Sequence, residues 1–535
     1  MYMYLFAILL LGIVVFIHEL GHFLFARLFG VRVLAFSLGF GKPIFKWKKG
    51  DTEYRISLIP FGGYVKMFGE SPEDEKVLSE EEYEFAYQHK LWWQKIIIAF
   101  AGPFFNIAMA FFVFIFVSFF EYSAPAAIVE YVDIKGPAAA AGIEEGDKII
   151  EINGKPVHVW EDIQLNISSE LKENRCLVVN IVTEKIDGKK ASFAVTPRTG
   201  TYTDAFNEEV KRCEIGIARL PRNASIALTS PFDGLQNGDV ILSIDNHPVT
   251  RFYEIEKRLK TLSFKSLKVQ RNNEEIELAF ENIEEAPSFV HGGLIISKVE
   301  EGSFSQKTGI EEGDIVTAVN GNKISIPYQF YSIMQKLKEG DETQISIVRE
   351  GAEQTINFKA SFEERENEMT GFTDKNIRWG ANFAFNYDTP EVFAKRANLV
   401  NFTFRFAFEK TYEMIEMTLK GFWYLITGKM SAKSLGGPIM IFDISKRAAE
   451  AGLKHFLFIL AVISINLGII NLFPVPILDG GHIVMHTIEG IAGKQIPVSI
   501  KEKMLTLGLA LLLMLMAFAI FNDFSRYVSI FMRAN

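Results

Sequence analysis

The 535-residue chain has only two cysteines, Cys176 and Cys213. They lack metal-ligand spacing, which excludes a zinc finger or a cysteine-held cluster. They read as two structural thiols, with a disulfide open to them if their region faces an oxidising compartment. Positive charge is also short. Lys and Arg number 56 against 65 Asp and Glu, a formal net charge of -9. No basic stripe interleaves with aromatics, which argues against a nucleic-acid partner. No Lys or Arg precedes the first apolar run, and no small-x-small cleavage signal follows it. That run therefore reads as a retained span and not as a removed signal peptide.

Apolar and aromatic residues are plentiful: 49% hydrophobic, 48 Phe and a mean hydropathy of +0.14. This is too apolar for a wholly soluble chain, whereas 23% charged residues is an ordinary globular share. Apolar spans flanking a soluble middle reconcile the two. Spans are predicted at about residues 3–26, 96–120, 456–473 and 504–521. Arg27, Arg32, Lys42, Lys46, Lys48 and Lys49 follow the first span. By the positive-inside rule the loop after it is cytoplasmic and the N-terminus outside. An even number of spans returns the C-terminus to the same side.

Inside the first span stands His18-Glu19-Leu20-Gly21-His22. Positions i and i+4 share a helix face, so the two imidazoles can grip one metal ion, and Glu19 is placed to act as general base toward a water there. An ionisable residue near the centre of a span costs about 2.5–3.5 kcal/mol, so such residues point to function. A third ligand is sought where the third span breaks, at Asn471-Leu472-Phe473-Pro474-Val475-Pro476-Ile477-Leu478-Asp479-Gly480. Irregular backbone at membrane depth is tolerated where it is buried in protein or lines a wet cavity. Asp479 is favoured over its rivals His482 and His486, which lie further toward the basic loop holding Lys494, Lys501 and Lys503.

Between the first two spans, residues 33–70 alternate apolar and polar about the turn Gly50-Asp51, which predicts β-hairpins. An edge there, beside a membrane-embedded site, suits strand addition by an unfolded peptide, and a small structural hairpin at the membrane surface is the equal alternative. The acidic residues 70–85 read as a solvated cytoplasmic loop. In the second span, Ala101-Gly102-Pro103 and Asn106 read as helix-packing residues. From about 126 to 360 the chain repeats itself: GIEEGDKIIEING from Gly142, GLQNGDVILSIDN from Gly234 and GIEEGDIVTAVNG from Gly309. A helical stretch follows, as at 156–171 and 327–337. The expected boundaries are 126–205, 206–285 (the degenerate copy) and 286–362. Residues 363–430 form a linker and an amphipathic interfacial helix between membrane parts at 1–125 and 431–535.

The repeats resemble PDZ domains. That resemblance implies a groove taking a peptide end or extended segment, although a steric filter over the membrane site is equally open. The whole chain resembles the site-2 protease family of intramembrane zinc metalloproteases, of the bacterial regulator-of-sigma-E type. The resemblance rests on His18-Glu19-x2-His22, Gly39-Phe40-Gly41, Phe61-Gly62-Gly63-Tyr64-Val65-Lys66, Ala101-Gly102-Pro103 with Asn106, and Asn471-x2-Pro474-x-Pro476-x2-Asp479-Gly480. It implies a multi-pass α-helical membrane protein with about four spans, a membrane-associated β-hairpin region and an extracytoplasmic insert of two to three PDZ-like α+β domains. It further implies Zn2+ held by His18, His22 and Asp479, Glu19 as base, and substrate contacts at Asn471, Gly62, Gly63, Pro474 and Pro476. The implied substrates are single-span membrane proteins such as anti-sigma factors, together with remnant signal peptides. The implied location is the bacterial inner membrane, with the PDZ-like domains periplasmic and the active site toward the cytoplasm. A zinc-binding inactive scaffold and a metal transporter are the competing classes, and intact Glu19 and the PDZ-like insert speak against them.

Overall fold

The computed structural model describes residues 2–534 apart from 71–79, 169–170, 173–174, 186, 204–208, 220–223, 250, 260–263, 281–282, 284, 302, 367–372, 378, 385–392, 397, 431 and 433–434. Most of the acidic loop therefore lies outside the described residues, as does Ser434 in the break before Pro438. Two compact units emerge, Met1–Tyr122 with Asn398–Asn535, and Ser123–Ala397.

The first unit opens with α1 (Tyr2–Leu28), an apolar run that no proline interrupts. At 1.5 Å per residue it is about 40 Å long, enough to cross a bilayer. The strands β1 (Val33–Lys49) and β2 (Thr52–Met67) follow, antiparallel and turning where Lys49 faces Thr52. Their register is irregular: residues 53–56 lie opposite both 35–38 and 45–48, while 63–67 lie opposite 33–38. Among the described residues 63–67 pair on one side only, which leaves a free edge. The base of the hairpin is anchored by Val33, Phe36 and Met67, buried with Phe23 and Ala26 of α1 and with Tyr87. Helix α2 (Trp92–Glu121) then runs with Pro103 inside it.

The second unit holds three four-stranded sheets of one topology. The first has the order 190–195, 179–184, 148–152, 155–156, and carries the helices α3 (Pro137–Ala141) and α4 (Trp160–Ser168). The second has the order 247–248, 240–244, 266–271, 274–279, with α5 (Phe252–Leu259). The third has the order 322–323, 315–319, 342–349, 352–359, with α6 (Phe304–Lys307) and α7 (Pro327–Met334). Each sheet has its own apolar core.

The repeated Gly-Asp pairs have a shared physical role. Asp147, Asp239 and Asp314 are buried, and each accepts the backbone N–H of the residue three positions earlier. A cation from the neighbouring strand region completes each lock: Lys185 at 3.0 Å, Arg271 at 2.7 Å and Arg349 at 2.7 Å. The second copy, degraded in its first half, keeps both the strand order and the lock.

Cys176 and Cys213 are joined by a disulfide, which corrects the reading of two free thiols. Strand pairing sets residues 209–214 alongside residues 198–203, and Cys176 Sγ lies 3.7 Å from the Arg198 carbonyl oxygen, a proximity that linear spacing does not reveal.

The chain returns to the first unit with α8 (Leu399–Ile426), started by Asn398, whose side chain accepts the Asn401 N–H. This helix packs along α2: Ser118 Oγ donates to Thr403 Oγ1 at 3.0 Å, and Ala407 shares a core with Ala110 and Phe114. Its charges pair along its own surface, Arg405 with Glu409, Lys410 with Glu413 and Lys420 with Glu416. Helices α9 (Pro438–Glu450), α10 (Leu453–Asn471), α11 (Asp479–Ala492) and α12 (Val498–Ala534) complete the chain. Thr418 Oγ1 of α8 donates to Asn466 of α10 at 2.7 Å. Asp523 of α12 accepts the N–H groups of Gly437 and Ile439, capping α9. Among the described residues, four helices are long and apolar enough to cross a membrane: Phe6–Leu28, Trp92–Glu121, Leu453–Asn471 and Val498–Ser525.

Candidate metal centre

Helical spacing puts His18 and His22 one turn apart on the face of α1 that meets α2. Their Nε2 atoms are 3.3 Å apart, and both residues are buried. The third side chain comes from the far end of the chain. Asp479 Oδ2 lies 3.1 Å from His18 Nε2, and Asp479 Oδ1 lies 3.4 Å from His22 Nε2. Among the described residues, these three form the one group of His, Cys, Asp or Glu whose donor atoms converge closely enough to hold a metal ion. The spacing fits zinc: tetrahedral bonds of about 2.0–2.1 Å put ligand atoms about 3.3 Å apart. The donor chemistry fits as well. His22 Nδ1 donates to the Ile98 carbonyl at 2.8 Å, which leaves the Nε2 lone pair facing the cluster.

The surrounding backbone is shaped to admit these groups. A Cβ on Gly102 of α2 would overlap His22 Nε2, so only glycine lets α2 approach the imidazoles. After Asn471 the chain turns through Pro474 and Pro476, and α11 begins at Asp479. A Cβ on Gly480 would collide with the Leu472 carbonyl, so the turn closes as tightly as it does because no side chain is there. The turn returns the chain at the depth of the two histidines and leaves Asp479 in the first turn of a helix, where a carboxylate is favoured. Pro476 of this turn packs beside Gly481 of α11 and Gly508 of α12.

Glu19 is beside the cluster on α1, and β2 approaches it closely. A Cβ on Gly63 would stand 3.0 Å from Glu19 Cγ and 2.8 Å from the Ser37 carbonyl oxygen. Gly62, next to it, has φ 108°, which other residues rarely adopt. Asn471 Nδ2 is 3.1 Å from His18 Nε2, so the amide reaches the same point as the three donor atoms.

A family model described as Peptidase family M50 matches residues 6–515. The chain belongs to peptidase family M50. This M50 protein is accordingly a metalloprotease. It is 32% identical over 528 residues, 98% of each chain, to a Neisseria meningitidis protein carried as a candidate zinc metalloprotease. It is 29% identical over 524 residues to the regulator of sigma E protease of Haemophilus influenzae, covering 97% of this chain and 98% of that one. The regulator of sigma-E protease RseP of Escherichia coli is 28% identical over 522 residues, 97% of each. The solved HtrA-type protease AlgW with decapeptide overlaps 37% of this chain and 75% of that one at 12% identity and a TM-score of 0.12, too little to bear on the fold.

Within the M50 chain, the rival ligand His486 is engaged elsewhere: Nε2 meets the Tyr87 hydroxyl at 3.1 Å and Nδ1 meets Glu489 at 3.0 Å. Glu489 in turn pairs with Lys501 at 2.6 Å. Sequence reasoning missed this buried chain, although His486 and Glu489 at i and i+3 within an apolar helix were the available signal. Asn106, read as a packing residue free to hydrogen-bond inside the bundle, has its amide 3.3 Å from His18 Nδ1.

Proposed function

We propose that the protein is an intramembrane zinc metalloprotease that hydrolyses peptide bonds in or near the transmembrane segment of single-span membrane proteins. The observation that carries this is the meeting of His18, His22 and Asp479 donor atoms at 3.1–3.4 Å, the histidines on a helix apolar enough to span a bilayer and Asp479 just past the turn that ends another. In this reading those three residues hold Zn2+, which when bound supplies a Lewis acid and lowers the pKa of water at the open position toward about 7. Glu19 takes a proton from the attacking water and returns it to the leaving amine. Asn471 holds the substrate backbone beside the cluster, and Pro474 and Pro476 shape the turn that presents it.

A helical substrate hides its carbonyls in i to i-4 hydrogen bonds and must unwind before attack. The free edge of residues 63–67 compensates the exposed backbone groups by pairing with the extended peptide, and Gly62 and Gly63, where β2 comes close to Glu19, bring that edge beside the base. The Haemophilus and Escherichia relatives are named for regulation of sigma E, which fits anti-sigma factors as the substrate type; the bacterial inner membrane as the location and remnant signal peptides as further substrates are part of the same reading. The three sheet-and-helix units are read as periplasmic PDZ-like domains that bind peptide ends or filter substrates by size. The active site is read as lying toward the cytoplasm.

The test is the full-length protein reconstituted in liposomes with a single-span reporter. Glu19→Gln is expected to retain one zinc per chain and lose cleavage. Cleavage at the wild-type rate by that variant would overturn the proposal.

A further inference from the structure

We infer that Asn106 is a positioning residue: its side-chain oxygen accepts the Nδ1–H of His18 and so holds that imidazole in the tautomer whose Nε2 lone pair faces the metal position. This rests on the reading of His18 as a ligand. A neutral imidazole has one N–H and one lone pair, and a partner on one nitrogen decides which is which. His18 Nε2 lies within 3.1–3.3 Å of Asp479, His22 and Asn471, so it is the metal-facing nitrogen. The proton therefore belongs on Nδ1, and Nδ1–H needs an acceptor inside a buried site.

Asn106 is fully buried, and its amide is the group facing Nδ1, at 3.3 Å. With Nδ2 toward the ring, two donors would oppose each other. At the same time Asn106 Oδ1 is buried without a partner. A buried carbonyl oxygen left unpaired is costly and rare. A half-turn of the planar amide exchanges oxygen for nitrogen without changing shape and removes both faults at once. The backbone that carries the amide is fixed independently. Ser464 Oγ of α10 donates to the Asn106 carbonyl at 2.8 Å, and a Cβ on Gly468 would stand 3.4 Å from the Asn106 Cβ. Helix α2 thus orients both histidines about two turns apart: His22 through the Ile98 carbonyl, and His18 through a side chain.

The experiment measures zinc affinity by chelator competition, and the Co2+ absorption spectrum, on the full-length protein in detergent. Removing such a partner typically costs 10–100-fold in metal affinity, so Asn106→Leu is expected to bind zinc at least about tenfold more weakly and to alter the Co2+ bands. Asn106→Asp keeps the acceptor and is expected to stay within about threefold of wild type. Ser118→Ala, which disturbs the α2–α8 contact but leaves the amide and its backbone support, is expected to bind as wild type. Should the leucine variant misfold, Asn106→Ala carries the same expectation. Wild-type affinity in the folded leucine or alanine variant overturns the inference, as does an Asp variant as weak as the Leu variant, or a Ser118→Ala variant that falls equally far. Absence of zinc binding by the wild-type chain would instead remove the proposed function.

Discussion

His18 Nε2 stands 3.1 Å from Asp479 Oδ2, although most of the chain lies between the two residues. The contact depends on three local devices: the i, i+4 face of α1, the glycine that lets α2 close on that face, and the proline-glycine turn that starts α11 at the same depth. Each can be perturbed separately.

Asp479→Asn keeps the size of the side chain and removes its charge. Zinc content after dialysis, read by elemental analysis, is expected to fall from about one per chain to near zero, because a neutral amide is a much poorer third ligand than a carboxylate. Unchanged zinc would remove Asp479 from the ligand set.

Gly63→Ala places a methyl group against Glu19 and the Ser37 carbonyl. Reporter cleavage is expected to drop about tenfold or more with zinc content preserved, since the geometry of the base and not of the ligands is disturbed. Loss of zinc in step with activity would show that β2 supports the ligands instead.

Arg349→Leu strands the buried Asp314 carboxylate. Unfolding of the second unit, followed by thermal denaturation, is expected to be easier by about 3 kcal/mol, because breaking a buried pair leaves an uncompensated charge. Lys189→Ala serves as the contrast. Its pair with Asp187 joins side chains 83% and 53% exposed, and the melting temperature is expected not to move. Equal effects of the two substitutions would refute the lock.

Reduction of Cys176–Cys213, or the double substitution to serine, opens a loop closed over 37 residues. On a chain-entropy basis this costs about 3–4 kcal/mol, measurable as a lower denaturant midpoint without reductant in the double variant. Coincident unfolding curves for variant and wild type would show that the disulfide adds nothing.

Much was legible in the order of residues. The four apolar runs are contiguous, and each appears as a span-length helix because hydrophobic length is a local property. The His18-Glu19-x2-His22 spacing and the three Gly-Asp turns are equally local, and helix and turn geometry converts such spacings directly into shared faces and buried carboxylates. The hairpin announced itself by alternation, yet its double register did not, since residues 53–56 find partners in two separate stretches of β1.

Local patterns in the chain thus sufficed to name the chemistry: two imidazoles, a neighbouring base and an acid awaiting them within apolar segments. The sequence favoured Asp479 as that acid, and packing decided what stands beside it. Asp479 reaches the cluster while His486 is taken up by Tyr87 and Glu489, Asn106 meets a histidine, and the two cysteines find each other. These outcomes depend on how closely helices and strands far apart in the chain approach one another. Close approach is set by the shapes of whole surfaces, and no short stretch of residues encodes it.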